Sequence, residues 1–292
     1  MMQASLAQRG SAGWGNGLLG VIIFSGSLPA TRTAVAGFDP FFLTSIRAVI
    51  AALLGIALLS VLRQPFPKRQ DIMSLAVVAL GVVIGFPLLS ALALAQMTAA
   101  QSLVLMGILP FSTAIFAVLR GGERPKPFFW VFSGVGSLAV AAFALSQNAE
   151  GSLLGSIYMF GAIIVCGLGY AEGATLSRKL GGWQVISWAL VLALPVMLIA
   201  AILSVPAQLP DSQSTAWYGL MYVSVFSMLV GFVFWYRGLA LGGAAGVGQL
   251  MLLQPFFGLM LAALLLQETI SSMMIAATVV VVGCVVGAKR YA

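Results

Sequence analysis

The chain has 292 residues, 61% of them hydrophobic and 7% charged, against about a quarter charged in an ordinary soluble domain, which excludes a water-soluble globular fold. Its formal charge of +7 comes from 14 Lys and Arg against 7 Asp and Glu, with no His; the placement of those charges, set out below, argues against a nucleic-acid partner. Cys166 and Cys284 lie inside apolar runs, so neither a disulfide framework nor a metal site is indicated, and no cofactor is implied.

An apolar run of about 20 residues crosses a bilayer as a helix. Ten such runs follow one another, at 14–36, 41–62, 72–95, 99–119, 127–146, 153–176, 183–205, 215–236, 245–267 and 270–288. They are continuous and long, where a β-barrel would alternate in segments of about ten residues. The thirteen residues before the first run hold one Arg and no apolar core, so that run is read as a retained helix and not a cleaved signal.

The first span carries Phe24 and Ser27, candidates to line a substrate site, then Pro29, a helix break, and Arg32 near its end. Arg32 either snorkels to the headgroups or takes part in function. Arg47, two turns into the second span, is expected to pair with a carboxylate or a helix end. In the fourth span Pro110 lacks the N–H that the Met106 carbonyl would use. The sixth holds Tyr170, a lining candidate, and Glu172. Without His, proton handling falls to a carboxylate, and Glu172 is the deep one; an ion pair is the alternative. Trp235 and Tyr236 close the eighth span, either as lining or as an interfacial belt. In the ninth, Gln249 and Gln254 are lining candidates or interhelical contacts, and Pro255 frees the Met251 carbonyl. The two amides stand about 140° apart around a helix, so one face presents both only if Pro255 distorts it. No nucleophile with a base, carboxylate pair or metal set is visible, so no catalytic residue is assigned.

The halves repeat. Ala93-Leu94-Ala95 matches Gly238-Leu239-Ala240, Ala99-Ala100 matches Ala244-Ala245, Met106 matches Met251, Pro110 matches Pro255 and Glu123 matches Glu268, all at a spacing of 145. Gly20-Val21-Ile22-Ile23 pairs with Gly161-Ala162-Ile163-Ile164 at a slightly different spacing, as does Gly26 with Gly167. Five helices per copy is odd, so the copies enter the membrane from opposite sides, as in secondary transporters whose site lies between inverted repeats. The units are 1–150 and 151–292. Twelve basic residues, Arg9, Arg63, Lys68, Arg69, Arg120, Arg124, Lys126, Arg178, Lys179, Arg237, Lys289 and Arg290, then share one side, while the other holds Asp39, Glu150, Asp211 and Glu268. Basic residues collect on the cytoplasmic face, which places both termini there.

Phe24-Ser25-Gly26-Ser27-Leu28-Pro29-Ala30-Thr31-Arg32, then Asp39-Pro40 and Ser45-Ile46-Arg47-Ala48, resemble the opening of the drug/metabolite transporter superfamily, EamA type. Leu109-Pro110 through Gly122-Glu123-Arg124, and Gln254-Pro255 through Gln267-Glu268, resemble its paired Pro and Glu signature. Phe24-Ser25 stands where that family usually has Trp-Gly, and Arg32 where it has Lys. The resemblance covers nearly the whole chain and implies ten helices in two inverted halves, a central cavity, and transport of small organic metabolites, often outward. The YddG-like branch that it suggests exports amino acids, aromatic ones included, and the setting it implies is a multi-pass protein of the bacterial inner membrane.

Other classes fit less well. An ATP-driven pump needs a phosphate-cradling loop such as Gly-x-x-x-x-Gly-Lys-Ser/Thr, which does not occur. A channel would show a filter or a ring of charges, a nucleotide-sugar carrier a more basic cavity, and a membrane enzyme a catalytic set. An alternating-access carrier of a small molecule in the lipid bilayer is the reading the residues favour, with a channel-like facilitator or another metabolite carrier as alternatives.

Overall fold

A computed structural model describes residues 2–97, 102, 105–145, 152–211, 214–258, 260 and 272–292. Among these, every regular element is helical. The first span comprises α1 (Met2–Ser25) and α2 (Ser27–Val35), interrupted only at Gly26. The second is α3 (Pro40–Val61), started by the Asp39 carboxylate, which accepts from the N–H groups of Phe41 and Phe42 at 2.8 and 3.3 Å, with Pro40 in the first turn where no donor is missed. The third runs through α4 (Arg69–Val78), a π-helical stretch (Ala79–Gly85) and α5 (Phe86–Gln96). Then come α6 (Leu109–Gly121), α7 (Pro127–Leu145), α8 (Leu153–Leu180) and α9 (Gly182–Leu203). The eighth span joins α10 (Thr215–Met221), a second π-helical stretch (Tyr222–Val230) and α11 (Gly231–Gly242). The ninth starts as α12 (Ala244–Gly248) and tightens into a 3₁₀ stretch (Gln249–Leu253), and the tenth is α13 (Ser272–Tyr291).

Several limits differ from those predicted. The eighth span runs six residues past 236 to Gly242, and the joint expected at 237–244 shrinks to Gly243, whose φ of 85° favours a residue without Cβ. The sixth continues to Leu180, with Arg178 and Lys179 in its last turn, where cations favour the helix dipole. Hydropathy measures the length in contact with lipid, and these helices continue past it. Glu268 and the Ala99-Ala100 pair lie outside the described residues.

The first span crosses the eighth, the third packs on the sixth, the second on the seventh, the fifth on the tenth, and the fourth on both the sixth and the ninth. Exchanging each span for its counterpart in the other copy converts the first pair into the second and leaves the second–seventh, fifth–tenth and fourth–ninth pairs unchanged. This is the contact pattern of two inverted five-helix repeats in a ten-helix, all-α membrane protein. The π-helical stretches obey it too: the first, displaced by 145 residues, falls inside the second.

At the crossing of the first and eighth spans, Gly13 and Gly17 meet Gly238 and Gly242. A Cβ on Gly238 would sit 2.5 Å from the Gly17 nitrogen, and one on Gly13 would sit 2.6 Å from that of Gly242. In lipid, where water expulsion does not drive helices together, such backbone contact supplies the packing.

Candidate functional site

Among the described residues, seven of the ten spans line a cavity of about 30 Å³ between the repeats. Phe24, Ser27 and Leu28 reach it from the first span, Arg47 from the second, Val82, Phe86 and Pro87 from the third and Met106 from the fourth. Tyr170 comes from the sixth, Ser227 and Phe232 from the eighth, and Met251 and Gln254 from the ninth. Both π-helical stretches supply lining, Val82 in one and Ser227 in the other, and Phe86 directly follows the first. Such stretches recur at functional sites because they re-aim the side chains around them.

Broken helices build the floor. Leu105 O accepts from Ile108 N at 2.9 Å, a tight turn that ends just before α6, and Pro110 lies in the first turn of α6. In the ninth span the 3₁₀ stretch ends just before Pro255. Neither proline offers an N–H to Met106 or Met251, yet the Met251 carbonyl is not left free as expected, because the tighter 3₁₀ turn lets it accept from Gln254 N; both methionines line the cavity. Pro29 lies inside α2, three residues past the interruption at Gly26. There the Gln254 amide donates to Phe24 O at 3.0 Å, and the Tyr222 hydroxyl to Ile23 O at 2.7 Å.

Arg47 is 6% exposed. Its Nη2 donates to Ser227 Oγ at 3.3 Å, the same oxygen that accepts from Ser27 Oγ at 2.8 Å, and its Nε has no partner. It is the one charged side chain among the described lining residues. Aromatic rings form the opposite wall: Phe24 meets Phe232 edge-on at 5.1 Å, and Tyr170 meets Phe232 at 6.0 Å.

Four of the seven lining candidates, Phe24, Ser27, Tyr170 and Gln254, thus meet in one cavity. The other three do not. Trp235 and Tyr236 are fully buried, so they are not an interfacial belt, and they stand behind the wall: Trp235 backs Tyr170 at 5.3 Å, and Tyr236 donates to Gly169 O at 3.1 Å. The longer eighth span is the reason, since it moves both residues away from the helix end. Gln249 is also buried, and its amide turns back to Ala245 O, 3.5 Å away in its own helix. Among the described residues Arg47 has no carboxylate against it, where a carboxylate or a helix end was expected. Arg32 donates to Leu94 O in the last turn of α5, where a cation suits the helix end. Glu172 stands apart from the cavity lining, paired with Arg120 at 3.0 Å.

Contacts between the halves flank the cavity toward both ends of the spans. At the end carrying the basic residues, Arg120 meets Glu172, Arg178 meets Glu123 at 2.9 Å and Lys179 meets Asp71 at 3.7 Å. The Glu123 carboxylate also accepts from Ala244 N and Ala245 N, both at 2.8 Å, and so caps the ninth span from the end of the fourth. The basic partners are 41–63% exposed, so each ion pair alone is worth about 0.2–1 kcal/mol; the cap is the stronger tie. At the opposite end Phe38, Phe42 and Leu43 pack on Leu220 and Val223, and Phe38 meets Trp217 edge-on at 5.0 Å. Sequence reasoning missed Ser227, Arg120 and Asp71, whose partners lie 52 to 200 positions away.

The profile of the EamA-like transporter family matches this chain twice, at residues 12–145 and 153–288. A protein described as "Uncharacterized transporter YdeK", from Bacillus subtilis (strain 168), is 59% identical over 280 residues, 96% of this chain and 98% of that one. A crystal structure covering 97% of this chain and 100% of its own superposes with a TM-score of 0.80 at 18% identity, a likeness of fold alone. With the family profile spanning both five-helix copies and the 59% identical relative covered almost end to end, the chain belongs to the EamA-like transporter family.

Proposed function

We propose that this transporter exports small organic metabolites, amino acids including aromatic ones, across the bacterial plasma membrane by alternating access, with both termini cytoplasmic and with 1–150 and 151–292 as its two moving units. The observation that carries this reading is the small cavity between the repeats, with contacts between the halves toward both ends. At about 30 Å³ it holds a water or two, whereas small-ligand pockets have about 300 Å³ or more. A substrate therefore needs more room than this state offers, which separation of the halves at one end or the other would supply, as alternating access requires. Methionines and aromatic rings suit a variable apolar side chain, while Gln254, Arg47 and the serine pair suit a polar head.

The test is counterflow in proteoliposomes, with labelled phenylalanine outside and unlabelled amino acids, nucleotide sugars or buffer inside. Saturable uptake stimulated by internal amino acids is expected. Flux that rises linearly with concentration and ignores the internal solute would replace the carrier reading with a channel-like facilitator.

A further inference from the structure

We propose that Arg47 anchors a carboxylate of the transported molecule, so that a free acid group is a requirement for passage. This rests on the amino-acid reading above and assigns one of its contacts. A guanidinium buried among membrane helices is costly unless its charge is answered, and such a group usually faces a cavity and marks a substrate path. Among the described residues no carboxylate answers it: Nε has no partner, and the one hydrogen bond found there, to Ser227, is long at 3.3 Å. The acids that stand near other cations, Glu172, Glu123 and Asp71, are held by Arg120, Arg178 and Lys179 at the basic end.

The surroundings are rich in donors. Ser227 Oγ already accepts from both Ser27 and Arg47, so its own hydrogen is available to a further acceptor. Arg47 and Ser227 together present N–H and O–H groups at a point where the described lining has no carboxylate. A planar guanidinium matches a planar carboxylate through two parallel hydrogen bonds. The cavity occupant, not the protein, then supplies the counter-charge, and the rings of Phe24, Tyr170 and Phe232 are left to its apolar part.

The experiment uses the full chain in lipid nanodiscs. Melting temperature is followed against phenylalanine, leucine, their carboxamides, phenethylamine and sodium chloride at constant ionic strength, with flux of the same compounds measured in proteoliposomes. The acids are expected to raise the melting temperature with at least about ten-fold higher affinity than the amides or the amine. Arg47→Met should abolish that response while the ligand-free protein melts at the same temperature or higher, because an unanswered charge has been removed; a purely structural arginine would lower it. Arg47→Lys should keep a weakened response, and if Arg47→Met is not monodisperse, the acid-to-amide ratio in the wild type and Arg47→Lys decides. Amides binding as tightly as acids, acid binding unchanged in Arg47→Met, or chloride alone giving the full shift would overturn the assignment. Equal flux of acids and amides would overturn it and leave the transporter reading intact. Arg47-dependent binding without flux would do the reverse, and no binding by any acid would remove both.

Discussion

Neutralising Glu123 should loosen the basic end of the transporter. Its carboxylate accepts from two backbone N–H groups at 2.8 Å and from Arg178 at 2.9 Å, and all three donors belong to the other repeat. Glu123→Gln keeps the shape and one acceptor oxygen. In the closed state it loses a charge-assisted bond of about 1.5–3 kcal/mol and a favourable charge at a helix start of about 0.3–1 kcal/mol, neither of which is lost once the end is open to water. A net figure of about 2 kcal/mol corresponds to a roughly thirty-fold larger open fraction. Arg178→Met, which removes only a 41% exposed partner, should give about two-fold. The assay is the rate at which a membrane-impermeant maleimide, applied from the basic side, modifies Met106→Cys in a Cys166→Ser, Cys284→Ser background. A rate about ten- to thirty-fold faster in Glu123→Gln, and much less changed in Arg178→Met, is expected. Identical rates in all three proteins would show that the cap does not hold this end shut.

Three further outcomes are expected. Gln254→Ala removes a buried donor to Phe24 O worth about 1 kcal/mol, so counterflow should fall while monodisperse yield stays near wild type; normal rate and affinity would reduce Gln254 to an interhelical contact. Gly238→Val brings a side chain against the Gly17 backbone and should cost about 1–3 kcal/mol by overpacking, seen as a lower melting temperature, while Gly15→Ala, where nothing lies within 4 Å, should melt as wild type. Single cysteines at Asn148 and Gln213 should react with an impermeant reagent in intact cells and one at Gln64 should not; the opposite pattern would invert the topology.

The ten spans were legible because each is a run of apolar residues long enough for a bilayer, and the repeat because Pro110 and Pro255 keep one register. That register also pointed to Met106 and Met251, which do line the cavity. Helix ends were misjudged where a helix continues past a charged residue and glycines, as from Arg237 to Gly242, and this misplaced Trp235 and Tyr236 near a helix end. The pairing of Arg47 with Ser227, and of Glu123 with the start of the ninth span, joins residues 180 and 121 apart, a relation that no local pattern encodes. Nor do Ala79–Gly85 or Tyr222–Val230 contain a residue that announces π geometry.

Those two π-helical stretches make the cavity sensitive to residue count as well as residue identity. A π turn accommodates an extra residue in an α-helix, and each residue is about 100° of rotation. Deleting one residue from Ala79–Gly85 would leave the third span apolar and long enough to cross the bilayer, yet would swing Phe86 and Pro87 off the wall they now form. The same deletion between Ser227 and Val230 would turn Phe232 away from Phe24 and Tyr170 while leaving Ser227 in place. In a loop, a one-residue length change is among the mildest of mutations; in these stretches it would reshape the cavity without replacing the aromatic residues that line it.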